Sequence, residues 1–378
     1  IVCQIRDKEQ WIRQVLKIIQ KKKTKEQDKS LEKIGFSDFG LKNLLLEKIA
    51  KEGLLNPTPI QVKTIPHTLE GKDVIAQAMT GSGKTAAFAL PALQKLKFSK
   101  KVEIVVIVPT RELARQVLNE FRRFSYKEGI KSVCVVGGES FSNQVSQISS
   151  GAQIVVATPG RLLDVLSSSK YLKLFDPSMV VLDEADEMLD MGFVDDIKKV
   201  LNLFPKKRQT LFFSATFPKK ISDFAFKILD NPEYIKLTKD NNKDHALIEQ
   251  KFCLIRENER QGALIRLIDA EQSEKLIIFC RTKKETDILC TDLISKKYKV
   301  KMLHGDLSQV ERNRVISGFK DGQINILVAT DVASRGLDIS DLSCVINYQL
   351  PDDYNRYTHR IGITGRAGNK GVVITLVT

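Results

Sequence analysis

The sequence predicts an α/β protein of two domains, each a mainly parallel sheet with helices on both faces. Three observations predict it. Short apolar runs of strand length (Val74–Ala76, Ile104–Val108, Val133–Val136, Ile154–Val156, Met179–Leu182 and Leu211–Phe213) alternate with stretches of helical period, the pattern of a parallel sheet covered on two sides. The same alternation returns in the second half, through Leu276–Phe279, Val300–Leu303, Ile326–Val328, Val345–Asn347 and Val372–Leu376. Finally, 378 residues exceed one ordinary core and suit two domains of roughly 150–200 residues each.

The expected boundaries are a basic N-terminal extension at 1–30, a first domain at 31–237, a polar linker at 238–244 and a second domain at 245–378. The extension opens with a helix-like spacing of Ile5, Trp11, Ile12, Val15, Leu16 and Ile19, then turns lysine-rich, with nine Lys/Arg against four Asp/Glu. Either a solvated leader or a helix gripping a partner fits it. The chain begins at Ile1 rather than Met, so a preceding segment stays open.

With 42% hydrophobic and 28% charged residues the composition is that of a soluble globular protein. A net charge of +14 favours a polyanionic partner, nucleic acid foremost. Six cysteines without any Cys-x-x-Cys pair read as reduced core residues in a cytoplasmic protein. The four histidines lack zinc-ligand spacing. No apolar run approaches membrane-spanning length and no signal peptide is visible, so no membrane association is expected.

The first domain's chemistry centres on Ala78-Met79-Thr80-Gly81-Ser82-Gly83-Lys84-Thr85, between the run Val74–Ala76 and a helix-forming stretch. Gly81 and Gly83 let the backbone aim N–H groups at phosphate oxygens, Lys84 reaches the β and γ phosphates, and the Thr85 hydroxyl ligates Mg²⁺. Ala78 stands where the generic phosphate loop has glycine. A second strand, Met179–Leu182, ends in Asp183-Glu184-Ala185-Asp186. There Asp183 suits a magnesium ion held largely through water, and Glu184 suits a base for the attacking water.

With these motifs in this order, the chain from Ile34 to Thr378 resembles the DEAD-box ATP-dependent RNA helicases of superfamily 2, of bacterial type. The resemblance implies two RecA-like domains, ATP and Mg²⁺ as cofactors, and RNA as a partner held through its backbone rather than its sequence. It makes Gly53-Leu54-Leu55-Asn56-Pro57-Thr58-Pro59-Ile60-Gln61 the adenine-reading motif: the Gln61 amide matches the adenine edge, and Phe36 stacks on the base. Thr80 through Thr85 then bind the phosphates, and Asp338 meets the ribose. Ser214-Ala215-Thr216 couples hydrolysis to strand opening through hydroxyl bonds from Ser214 and Thr216 to the acidic motif. RNA contacts are implied for Thr110, Arg111, Gly138, Thr158, Arg161, Arg281 and Thr330. Gln309-x-x-Arg312 matches RNA-contact or coupling positions, and Asp331 and Arg335 fit either motif roles or surface ion pairs. Protein partners acting through segments outside this chain also remain open.

The last motif, His359-Arg360-Ile361-Gly362-Ile363-Thr364-Gly365-Arg366, departs from the family pattern, which has arginine at position 363. The resemblance assigns catalytic roles to Lys84, Asp183, Glu184, His359 and Arg366, while Ile363 removes one of two arginine fingers. Two readings follow. One is an RNA-stimulated ATPase that locally unwinds RNA or remodels RNA–protein complexes, slowed by Ile363. The other is an ATP-dependent RNA clamp with little hydrolysis.

Overall fold

Val74–Gln77, four residues with three of them buried, is the strand that places the phosphate loop. The computed structural model describes residues 34–79, 81–97, 99–237, 248–271, 273–331, 342–352, 354–365 and 370–378. The expected extension, the linker 238–244, Thr80, Arg335, Asp338 and Arg366 lie outside these residues.

In chain order the first sheet comprises β1 (Val74–Gln77), β2 (Val102–Ile107), β3 (Ser132–Val135), β4 (Ile154–Ala157), β5 (Phe175–Leu182), β6 (Gln209–Ser214) and β7 (Glu233–Lys236). The second comprises β8 (Ile248–Leu254), β9 (Leu276–Cys280), β10 (Val300–Leu303), β11 (Ile326–Thr330), β12 (Cys344–Asn347) and β13 (Gly371–Val377). Their orders are β3-β4-β2-β5-β6-β1-β7 and β10-β11-β9-β12-β13-β8. Every pairing within them is parallel, which requires a crossover between successive strands. The chain therefore has the two parallel-sheet α/β domains that the alternation predicted, the RecA-like architecture that the resemblance implied.

Alternate residues of one strand fill opposite cores, because side chains on a strand point to opposite faces. Val74 and Ala76 belong to one first-domain cluster while Ile75 belongs to the other. In the second domain Ile277 and Phe279 face one cluster, and Leu276, Ile278 and Cys280 face its opposite. Such a sheet is apolar on both sides, which is why its strands read as continuous apolar runs.

Two strands escaped sequence reading, β7 and β8, and both lie at sheet edges. Glu233-Tyr234-Ile235-Lys236 and Ile248-Glu249-Gln250-Lys251-Phe252-Cys253-Leu254 mix charge with apolar residues, since an edge is half wetted. The five described cysteines are free thiols, and three of them, Cys280, Cys290 and Cys344, are buried. No helix among the described residues is long and apolar enough to cross a membrane.

Strand order divides the chemistry. The loops after β1, β5 and β6, neighbours in the sheet, carry the phosphate loop, the acidic motif and Ser214–Thr216. Those after β2, β4 and β3 carry Thr110, Thr158 and Gly138 on the other half. Ligands of open α/β sheets gather at the carboxyl ends of strands, so each half owns a separate site.

Candidate functional site

Gly83 occupies the left-handed region at φ 91° and caps the helix Lys84–Lys95. A side chain there is excluded twice over: a Cβ would stand 2.6 Å from Gln61 Nε2 and 2.8 Å from Thr58 Oγ1. Gln61 is the strut responsible. Its Oε1 accepts from the Thr58 N–H at 2.9 Å and its Nε2 donates to the Gly83 carbonyl at 3.1 Å. The residue expected to read adenine thus also braces the phosphate loop, with one N–H left over. Phe36, expected to stack on the base, is 6% exposed and sits edge-on to Phe39 at 6.1 Å. Gly83→Ala is expected to weaken ATP binding at least about tenfold and to lower the melting temperature, read by nucleotide titration and thermal unfolding.

Lys84 is 6% exposed, and its Nζ has no hydrogen-bond partner among the described residues. A buried ammonium in that condition is costly, unless an anion completes it. The helix N-terminus beside it points the same way. The loop's chemistry therefore fits a bound phosphate chain. Across from it Asp183 is 2% exposed, and burial raises its pKa against the opposing pull of Lys84. Asp183 Oδ1 accepts from the Glu184 N–H at 2.9 Å. Glu184 itself adopts φ 50°, a left-handed backbone uncommon for a residue with a Cβ. Burial, opposed by Lys84 and reinforced by Asp183 and Glu187, pushes its carboxyl up to about 7. No group of three or more His, Cys, Asp or Glu able to hold a metal occurs among the described residues. Hard oxygen donors at Thr85 and Asp183 instead suit an ion shared with phosphates.

Asp186 ties three motifs together. Its Oδ2 accepts from Thr216 N and Thr216 Oγ1, both at 2.8 Å, and faces His359 Nε2 of the second domain at 3.4 Å. The other ring nitrogen, Nδ1, pairs with Glu187. Burial works against the imidazolium, but bonds to Asp186 and Glu187 outweigh it and push His359 up to about 10. Burial likewise opposes the Asp186 carboxylate; His359 and Thr216 still hold its pKa below the usual range. Of the two hydroxyls expected to reach the acidic motif only Thr216 does so, because Ser214 Oγ donates to Thr216 O at 2.5 Å.

A second bridge joins the domains on the other half of the sheets. Arg111 Nη1 donates to Gln309 Oε1 at 3.0 Å, Gln309 Nε2 to Glu112 Oε1 at 3.2 Å, and Arg312 Nε to the same oxygen at 2.6 Å. Arg115 Nη1 reaches Asn313 Oδ1 at 3.3 Å. Gly138 is needed beneath Arg111, since a Cβ there would come 2.2 Å from Nη1.

The DEAD/DEAH box helicase family model matches residues 58–224, and the helicase conserved C-terminal domain matches 259–368. The DEAD-box ATP-dependent RNA helicase RhpA of Helicobacter pylori strain B128 is 50% identical over 353 residues, covering 93% of this chain and 71% of its own. The chain belongs to the DEAD-box RNA helicases. ATP-dependent RNA helicase CshA of Listeria monocytogenes is 47% identical over 343 residues, 90% of this chain and 66% of its own. Among solved structures, Saccharomyces cerevisiae Dbp5 bound to RNA and ADP BeF3 superposes at a TM-score of 0.81 with 35% identity, covering 91% of this chain and 89% of that one.

The remaining residues of the helicase spread along the other half. Thr110 Oγ1 accepts from Leu113 N at 3.2 Å as a helix cap, and Thr158 precedes the helix Pro159–Leu166. Arg161 is turned inward, donating to Glu139 O and Gln144 Oε1, both at 3.1 Å. Arg281 is exposed and lies 3.3 Å from Asp352, while Thr330 closes β11. The open choice for Asp331 resolves toward an ion pair, but a sheltered one: Arg360, only 4% exposed, grips both its oxygens. Ile363 is 8% exposed and packs in a second-domain cluster with Tyr357, Ile361 and Leu342.

Sequence reading missed Glu112, Arg115, Glu187 and Asn313 as functional positions. Gln309, Arg312 and Asn313 stand three and four residues apart, so they share one helix face. That spacing was the available signal for a contact surface. Glu187 gave none, because only folding carries His359 to it.

Proposed function

We propose that the helicase is an RNA-stimulated ATPase whose two domains close on a triphosphate and, on the opposite half of the sheets, on an RNA backbone. The observation that carries this reading is the buried, unpartnered Lys84 ammonium beside Asp183 and Glu184, framed by a second domain that delivers His359 to the same acidic motif.

In this reading the loop N–H groups and Lys84 hold the phosphates. Thr85 and Asp183 would hold Mg²⁺, which when bound would supply charge neutralisation. Glu184 takes the proton of the attacking water, its raised carboxyl matching a base that works near neutrality. Arg366 serves as the charge on the transferring phosphoryl, and Asp338 as the ribose contact. Thr110, Arg111, Gly138, Thr158, Arg161, Arg281 and Thr330 address phosphates and ribose rather than base edges. Since Arg111 and Arg161 hold protein partners, RNA entry exchanges those bonds for bonds to phosphate. A clamp with little turnover is the second reading, motivated by Ile363 standing where the family pattern has arginine. Single-turnover hydrolysis with saturating RNA separates the two: release of phosphate on the time scale of RNA dissociation supports the ATPase, and none supports the clamp.

Closure carries its own pH signature. The His359 pKa is raised above its ordinary 6.5 by the closed arrangement. The stabilisation it gives is therefore fully present below that value and lost as pH rises through about 10. Inter-domain energy transfer with a nonhydrolysable ATP mimic and RNA is expected to be greatest below about pH 6.5, to weaken progressively as pH rises above that value, and to have lost the His359 contribution by about pH 10. In His359→Gln the alkaline fall should vanish and closure should be weaker throughout.

A further inference from the structure

The free edge of the second sheet carries lysines that no part of the site just described uses. Lys296, Lys297, Lys299 and Lys301 crowd into six residues, all are exposed, and none of the four makes an ion pair or side-chain hydrogen bond among the described residues. Lys301 lies on β10, the outermost strand. Val300 between Lys299 and Lys301 is 4% exposed, so these two lysines share the outward face. On its inner side β10 pairs with β11, and the Lys299 carbonyl accepts from Asn325 N and Ile326 N at 2.9 and 3.1 Å. No strand among the described residues pairs with its other side.

Position gives the charge a direction. β10, β11 and β9 are adjacent, and their carboxyl ends present His304, Thr330 and Arg281. The lysine edge therefore runs directly into the half of the domain assigned above to RNA, away from β12 and the helix that carries His359. Lys296 and Lys297 lie in the turn before the strand, and from Lys299 to His304 the chain covers roughly 17 Å. The corresponding outer strand of the first sheet, Ser132–Val135, has no charged residue, and Lys131 just before it is engaged, donating to the Ser150 carbonyl at 2.8 Å.

We infer that this lysine edge is an accessory track for the backbone of RNA extending beyond the cleft, on the second-domain side only. The inference rests on the RNA reading proposed above. Its occupant is a polyanionic strand: the contacts are point charges from flexible ammonium groups, suited to phosphates and indifferent to sequence. A flanking strand adds phosphate contacts without altering those of the cleft, so affinity gains with RNA length and does so in a salt-dependent way.

The test uses the full chain with all four lysines changed to glutamine, Lys296→Gln, Lys297→Gln, Lys299→Gln and Lys301→Gln. Binding is measured with a nonhydrolysable ATP mimic over a salt series, for a short single strand that only fills the cleft and for one several-fold longer. The expected result is unchanged affinity for the short strand and at least about a tenfold loss for the longer one. The slope of log affinity against log salt should shrink by up to about 3, from ~0.7 per phosphate contact. Equal affinities of wild type and variant for the longer strand would overturn the track. So would a variant that loses nothing but its monomeric state by sedimentation, since edge lysines also prevent sheet-to-sheet association. If the wild type binds neither strand, the failure lies with the RNA reading itself.

Discussion

Glu184→Gln is expected to cut RNA-stimulated ATP turnover by about 10²–10⁴-fold, while ATP still binds and closure still occurs. The glutamine amide matches the carboxylate in size but takes no proton. The native backbone also holds position 184 at φ 50°, and Lys84 is near enough to act on its carboxylate. Asp183 keeps its own bond to the backbone N–H of 184 in the variant, so its carboxylate is undisturbed. The measurement is phosphate release at saturating RNA together with the RNA dissociation rate. Slow release should come with slow dissociation, because the closed state is no longer relieved by hydrolysis. A variant that hydrolyses normally would remove Glu184 from the proposed chemistry.

Ile363→Arg is expected to raise the single-turnover rate at least about tenfold. A well-placed finger is worth ~10³–10⁵, and the smaller figure reflects where the structure puts this residue. Ile361 through Gly365 are all buried, and Thr364 donates to the Leu342 carbonyl at 2.5 Å, so the backbone on both sides of position 363 is fixed. Isoleucine is held in the second-domain core by that arrangement. An arginine cannot stay there unpaired, and its long stem lets the guanidinium leave for the cleft. The cost is a packing defect, so the melting temperature should fall by several degrees. Ile363→Ala is the control: it shares the defect, carries no charge, and should melt early without any gain in rate. Equal rates for native and arginine proteins would mean that the missing charge does not limit hydrolysis.

Chemistry-bearing loops were legible wherever backbone geometry forces residue choice. Gly83 at φ 91° against Gln61 and Thr58 tolerates no side chain, so the phosphate loop announces itself in the sequence. Strands of a doubly covered sheet must be apolar on both faces, so the central ones were plain, while the half-wetted edges β7 and β8 were not. Pairings over long sequence separations were hidden. Glu112 with Arg312, Asp331 with Arg360 and Asp186 with His359 each involve ordinary charged residues whose partners lie far along the chain.

What the sequence alone determined was the α/β class, the family, and the residues proposed to meet phosphate and water, because those depend on local turns and on motif order along one strand-loop-helix unit. Only the tertiary structure decided that Gln61 braces Gly83, that Ser214 bonds within its own turn while Thr216 alone reaches Asp186, and that Ile363 faces a core instead of a cleft. The direction of a side chain and the identity of its partner are set by how segments distant in the chain pack within a folded domain, and no spacing within one segment encodes that.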